Sequence, residues 1–116
     1  MVGDEAVSQL PPNDALKALE EVLGNEATRE IVRLYLKDFP DALRRVSGAG
    51  REDQMRLVHG LKSSSLHMGA TDLSDRLASL EEKLGARREP LEQDEIASAV
   101  ADFGAVAPTL RAYAGA

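Results

Sequence analysis

A histidine, a lysine and three serines lie close together in the segment VHGLKSSSLHMGA, residues 58–70. An imidazole can act as a nucleophile, a general base or a metal ligand. On a helix, Lys62 would lie one turn from His59, with Cβ atoms about 5–6 Å apart, so its charge can offset that of an approaching phosphoryl group. Phosphoryl acceptance by His59 is therefore one candidate chemistry, and a solvated polar face without chemistry is the alternative.

Metal binding and serine hydrolysis fit this segment less well. The second histidine, His67, is eight residues from His59, which is about 12 Å along a helix axis and about 80° around it. A Ser-His-Asp hydrolase needs an oxyanion hole and a pocket, for which a small helical protein with short loops offers little material. Ser64 and Ser65 are instead expected to pack toward or beside the core.

A helical wheel through the segment places His59 opposite the core, because each residue turns by about 100°. The predicted core side carries Leu57, Leu61, Ser64 and Met68, flanked by Gln54, Val58 and Ser65. The face around His59 carries Glu52, Met55, Arg56, Lys62, Ser63 and Leu66. Two of these residues, Met55 and Leu66, are apolar, which predicts a docking patch that also includes Glu52, Arg56 and His67.

The segment must be positioned by helices on either side of it. A loose tail is predicted over residues 1–12, after which Asn13 or Asp14 caps a short helix that Gly24 ends. That helix has Leu16, Leu19 and Leu23 on one face. Asn25 is expected to cap the second helix.

The second helix is predicted from residue 26 to about residue 46, and Pro40 within it predicts a kink or a break. Its apolar stripe is too wide for a surface helix, so the helix should be central. The stripe comprises Ile31, Val32, Leu34, Tyr35, Leu36, Phe39, Ala42 and Leu43. A turn follows at SGAG, residues 47–50.

The third helix is predicted over about residues 51–68, ended by Gly69, and Thr71 is expected to cap the fourth. The fourth carries the stripe Leu73, Leu77, Leu80 and Leu84, and Gly85 closes it. After a charged loop over residues 86–94 comes a last helix carrying Ile96, Val100, Phe103, Val106 and Leu110. Gly104 and Pro108 weaken its second half.

These elements predict an all-α fold, an antiparallel four-helix bundle with a short additional N-terminal helix, formed by a single domain over residues 13–116. The 116 residues allow one core, and 43% hydrophobic but only 3% aromatic residues suit packed helices. The net charge of −6 argues against nucleic-acid and anionic-membrane partners and favours a protein partner. Without cysteine, a signal-peptide pattern or a transmembrane run, we expect a soluble, cytoplasmic protein. Because one chain supplies all the core helices, we expect a monomer.

The segment HGLKSSSLHMGA resembles the signature of histidine-containing phosphotransfer (HPt) domains, His-x-Leu-Lys-Gly-Ser-Ser-x-x-x-Gly-Ala. The residues in register are His59, Leu61, Lys62, Ser64, Ser65, Gly69 and Ala70. The preceding LYLKDFPDAL and the following LASLEEKL also resemble the family's helices on either side of its motif. The resemblance covers residues 13–113.

The resemblance implies a phosphorelay intermediate that does not bind ATP. Its exposed histidine, here His59, would accept a phosphoryl group on Nε2 from a receiver-domain phospho-aspartate and pass it to another receiver aspartate, with electrostatic help from Lys62. The partners would be receiver domains of response regulators or hybrid histidine kinases, which supply the Mg²⁺, so that this chain needs no cofactor or metal. A carboxylate on the next helix, Glu81 in register or its rival Glu82, would accept a hydrogen bond from Nδ1.

One position departs from the signature, because Ser63 stands where the family usually has glycine. Its side chain can crowd the transfer or donate a hydrogen bond to phosphate. Three alternatives remain beside the relay, and Ser63 bears on the first of them. They are an adaptor that docks a receiver or kinase without carrying phosphate, the dimerisation domain of a histidine kinase, and a purely structural bundle.

Overall fold

The computed structural model describes residues 10–115, in which five α-helices form the fold. They are α1 (Asp14–Leu23), α2 (Asn25–Gly48), α3 (Arg51–His67), α4 (Thr71–Ala86) and α5 (Gln93–Ala114). Helices α2 to α5 make an antiparallel bundle, against which α1 packs through α2 and α3. The predicted all-α class is confirmed, and no strand occurs in the described residues. Most of the predicted tail, residues 1–9, lies outside them.

The core joins α3 to α4 and α2 to α5 most extensively. Three rings form its aromatic part, in which Phe39 of α2 stacks on Phe103 of α5 with centroids 4.4 Å apart and Tyr35 lies beside both. The predicted stripe of α4, namely Leu73, Leu77, Leu80 and Leu84, is buried along its whole length. Burial of these leucines fixes the register of α4 against α3.

Asn13 and Gly69 join the start of α1 to the turn between α3 and α4. The Asn13 side chain accepts the Leu16 N–H and donates to the Met68 carbonyl, both at 2.9 Å. Gly69 has φ 75°, a left-handed conformation that favours glycine, and a Cβ there would lie 2.2 Å from the Asn13 side chain. The predicted roles of Asn13 as a cap and Gly69 as a stop are confirmed.

Two other predicted caps are wrong. Asn25 is the first residue of α2, whose N-cap is Gly24 with φ 86°, and the Asn25 amide donates to Glu20 instead. Thr71 likewise begins α4, after Ala70. In both places the connection is so short that the residue expected to cap is already needed for the first helical turn.

The helix breakers inside α2 and α5 do not end either helix. Helix α2 continues through Pro40, and α5 continues through Gly104 and Pro108 to a left-handed Gly115 with φ 73°. Proline removes one backbone hydrogen bond, and buried side chains on both sides of it can offset that loss. Four residues predicted for apolar faces are exposed, namely Leu23, Ile31, Leu34 and Val100. Each helix of this small bundle has one side that no other helix covers, and these residues lie there.

A buried glutamine links the end of α2, the start of α3 and the loop before α5. The Gln54 side chain is 1% exposed. Its amide nitrogen donates to the Val46 carbonyl at 2.8 Å, and its oxygen accepts the Leu91 N–H at 2.7 Å. Gln54 thus satisfies two backbone groups that water cannot reach.

We predict that Gln54→Ala lowers the free energy of unfolding by about 2–4 kcal/mol, because it leaves both backbone groups unpaired and opens a cavity. Urea unfolding followed by circular dichroism measures this change. The control is Gln93→Ala, which removes an exposed amide bonded to Ser47 and should change stability by less than about 0.5 kcal/mol. Equal stabilities of the two variants would contradict the role given to Gln54.

Candidate functional site

His59 projects from the middle of α3 into solvent, with 63% of its side chain exposed. The buried side of the same segment carries Gln54, Val58, Leu61, Ser65 and Met68. The helical wheel therefore orients His59 correctly. It is less accurate for Leu57 and Ser64, which are only half-buried because the core face of α3 is turned toward α4.

A single carboxylate from α4 contacts both His59 and Lys62. Glu81 Oε2 lies 2.6 Å from His59 Nδ1, and Glu81 Oε1 lies 2.5 Å from Lys62 Nζ. The neighbouring Glu82 is exposed and has no part in this contact. The structure thus brings together His59, Lys62 and Glu81, the three residues named for the chemistry.

The Glu81 carboxylate is held in its ionised form. The Lys62 ammonium, followed by the His59 ring, lowers the pKa of Glu81, although partial burial opposes the shift. Because the pKa of Glu81 is lowered, its contacts contribute their full stabilisation at pH values above the usual pKa of a glutamate. This stabilisation is lost only as the pH falls through the lowered pKa. At neutral pH the carboxylate can therefore only accept hydrogen bonds.

The contact with Glu81 determines which ring nitrogen of His59 carries the proton. Because the carboxylate only accepts, Nδ1 must be the donor, and the neutral ring then has its lone pair on Nε2. A carboxylate behind a histidine also limits the rotation of its ring. In that neutral tautomer, the arrangement leaves an oriented nitrogen without a hydrogen on the exposed imidazole.

Polar contacts between α3 and α4 support this geometry. Ser74 of α4 donates to the Lys62 carbonyl at 3.2 Å. At the far end of α4, the Arg51 guanidinium donates to the Leu84 carbonyl at 2.6 Å, which caps the helix. The pairing of Lys62 with Glu81 and the contact of Ser74 were not predicted, because residues 12 to 19 positions apart give no local sequence signal.

The three serines after Lys62 have different surroundings. Ser65 is buried and shares a hydrogen bond of 2.7 Å with the Tyr35 hydroxyl, whose pKa burial raises to about 12. Ser64 is half-buried and donates to the Gly60 carbonyl at 3.1 Å. Both lie toward or beside the core as expected, whereas Ser63 is exposed on the side of His59.

A family model described as the Hpt domain matches residues 13–113, most of the chain. The chain belongs to the Hpt family. It is therefore a protein of phosphorelay signalling, in which Hpt domains interact with receiver or kinase partners. No curated protein and no solved structure gives a significant match to it.

Four of the five predicted docking residues of this Hpt domain are exposed. They are Glu52, Arg56, Leu66 and His67. The expectation that Met55 is exposed is wrong, because its side chain is half-buried against the core. Its Cε lies beside Gly85 of α4, 3.6 Å from the place a Cβ of that residue would take, which is an ordinary van der Waals distance.

A groove of about 1060 Å³ lies between α2 and α3, on the side of His59 opposite Glu81. Ile31, Tyr35 and Phe39 contribute apolar surface to it, and Ser64 and His67 contribute its α3 wall. It was not predicted, because it depends on the distance between two helices rather than on the pattern of either one.

The described part of this Hpt domain has neither a group of metal-ligating side chains nor a membrane-spanning helix. Within residues 10–115, no three His, Asp or Glu side chains are grouped closely enough to hold a metal ion. In the same residues, every helix is too short or too polar to cross a membrane.

We predict that Glu81→Ala reduces the share of His59 that carries its proton on Nδ1, because the carboxylate accepting that proton is removed. Long-range ¹H–¹⁵N NMR spectra of the imidazole distinguish the two tautomers. Glu82→Ala is the matched control, since Glu82 does not contact the ring, and it should leave the tautomers of His59 unchanged. The assignment of Glu81 is contradicted if both variants retain the wild-type spectrum.

Proposed function

We propose that this Hpt domain is a phosphorelay intermediate whose His59 accepts a phosphoryl group from a receiver-domain phospho-aspartate and passes it to the aspartate of another receiver. The observation that supports this best is the contact of Glu81 with His59 Nδ1, at 2.6 Å, on a side chain that is otherwise exposed. A structural histidine would have no need of a partially buried carboxylate oriented toward its inner nitrogen.

In the proposed step the lone pair of His59 Nε2 attacks phosphorus. The P–Nε2 bond forms as the P–O bond of the acyl phosphate breaks, and the receiver aspartate leaves as a carboxylate. No proton needs to move, because Nδ1 keeps its hydrogen. The ring becomes positively charged, and the adjacent Glu81 carboxylate stabilises that charge.

Lys62 has two functions in this proposal. Its ammonium holds the second oxygen of Glu81, which keeps the carboxylate ionised and oriented. It also provides a positive charge one turn from His59, where the phosphoryl group approaches. Any Mg²⁺ in the reaction would belong to the receiver, which also supplies the aspartate.

Receivers are proposed to dock on the face formed by Glu52, Arg56, Leu66 and His67, with a minor contribution from half-buried Met55. Leu66 is its apolar centre, since 56% of the residue is exposed. His67 also lines the groove between α2 and α3, so the docking face continues into apolar surface. A transient interface of this kind is expected to be small.

We predict that ³²P passes from a phosphorylated receiver to the wild-type protein and does not pass to a His59→Gln variant. His67→Gln is the matched control, because it removes the other histidine and leaves Glu81 and Lys62 in place. Gel autoradiography and intact mass measure the label. The relay fails if the wild type is never labelled or if His59→Gln is labelled as well.

The same experiment distinguishes the relay from the adaptor function. An adaptor would bind the receiver with equal affinity before and after the His59→Gln change, and neither form would carry label. Binding without transfer would therefore favour the adaptor.

We predict that Leu66→Ala weakens receiver binding by about five- to tenfold, because a few residues near the centre of an interface carry most of its affinity. Val100→Ala is the control, as Val100 is 52% exposed but lies on α5 away from this face. Isothermal titration calorimetry measures both, and thermal unfolding shows whether the fold is intact. Equal affinities would contradict the proposed docking face.

A further inference from the structure

Ser63 lies next to His59 on the exposed side of α3. It follows His59 by four residues, which places the two side chains one turn apart and about 40° from each other around the axis. Helical side chains lean toward the N-terminus of their helix, so the Ser63 side chain leans back over His59. Lys62 lies on the other side of His59, toward α4.

The Ser63 hydroxyl is free to bind a ligand. Its neighbours Ser64 and Ser65 are occupied by the Gly60 carbonyl and by Tyr35 respectively. Within residues 10–115, no protein group accepts a hydrogen bond from Ser63. Because the side chain is exposed, only water competes for its proton.

The cation beside His59 is less available than this hydroxyl. Lys62 Nζ is 2.5 Å from Glu81, and the Lys62 side chain is only 29% exposed. If Lys62 stays with Glu81 while the ring carries a phosphoryl group, its hydrogen-bonding capacity is partly used. Ser63 is then an exposed side chain next to His59 whose hydroxyl donor is uncommitted within residues 10–115.

We propose that the Ser63 hydroxyl donates a hydrogen bond to a phosphoryl oxygen on His59 Nε2 and thereby slows hydrolysis of the phosphohistidine. This inference rests on the proposed function and adds a residue that controls how long the phosphoryl group is stored. A phosphoryl group presents strong acceptor oxygens, and hydrogen bonds to charged groups are stronger than those between neutral groups. The bond also restricts the group's rotation and covers one path for attacking water.

The test uses phosphoramidate, a small phosphodonor that needs no receiver. The P–N bond of phosphoramidate breaks as the P–Nε2 bond forms on His59, and ammonia leaves after taking a proton from solvent. Once the donor is removed, ³¹P NMR and intact mass follow the loss of phosphate from the wild type and from Ser63→Ala, Ser63→Thr and Ser64→Ala variants.

We expect Ser63→Ala to shorten the half-life of the phosphohistidine by about three- to tenfold, the effect of losing one hydrogen bond to a charged group in a solvated place. Ser63→Thr keeps a hydroxyl and should retain most of the lifetime, and Ser64→Ala should match the wild type. Alanine is a good helix former, so all variants should fold, which circular dichroism verifies.

Equal half-lives of the wild type and Ser63→Ala would overturn the role of Ser63 and leave the relay untouched. A longer half-life in Ser63→Ala would also overturn it, since the hydroxyl would then promote hydrolysis. If phosphoramidate does not load His59, or if a phosphorylated receiver never transfers label to the wild type, the proposed function itself fails.

Discussion

The geometry of the site depends on one carboxylate shared between two partners across the seam of α3 and α4. An exposed imidazole is free to rotate and to exchange its two tautomers, so neither ring nitrogen is favoured for attack. Glu81 removes both freedoms at His59 through a hydrogen bond of 2.6 Å. A lone carboxylate at the surface would be hydrated and mobile, and Lys62 prevents this by binding its other oxygen.

The contacts of α3 with α4 and with α2 differ, and the difference suits the two tasks proposed for the site, phosphoryl transfer and receiver docking. The seam with α4 is closed by the leucine stripe and by Ser74, so His59, Lys62 and Glu81 keep a fixed spacing. The seam with α2 opens into the groove, which leaves Ser64 half-buried and His67 exposed. One side of His59 thus holds the chemical groups in place, while the other leaves apolar surface accessible.

The sequence alone predicts what depends on local spacing and not what depends on how helices meet. Five helices, the exposure of His59 and the helix stop at Gly69 follow from periodicity and residue type. The half-burial of Met55 does not, because it depends on how α3 packs against α4, where Met55 Cε lies beside Gly85. The caps assigned to Asn25 and Thr71 are wrong because the short connections before α2 and α4 place both residues inside the first helical turn, whatever their preference for the N-cap position.

The choice of Glu81 over Glu82 depends partly on local spacing and partly on how the helices meet. Adjacent positions on a helix differ by about 100°, so only one of them can face α3 once the stripe that includes Leu80 and Leu84 is buried. That stripe can be read from the sequence, and the resemblance of this helix to the one that follows the family's motif gives the same register. The second contact of Glu81, with Lys62, requires the distance between the helices, which no pattern in either helix contains.

Folding and the proposed chemistry depend on largely separate side chains in this protein. The ends of the bundle are stabilised by groups far from His59. The buried Gln54 donates to the Val46 carbonyl, and Arg29 and Arg33 donate to the last carbonyls of α5. The side chains that would meet a phosphoryl group or a receiver, His59, Ser63 and Leu66, contribute little to the core because they are exposed. Glu81 and Lys62 lie at the boundary between core and surface, partly buried and paired. Substitution of either residue is therefore expected to change both the geometry of the site and the stability of the fold.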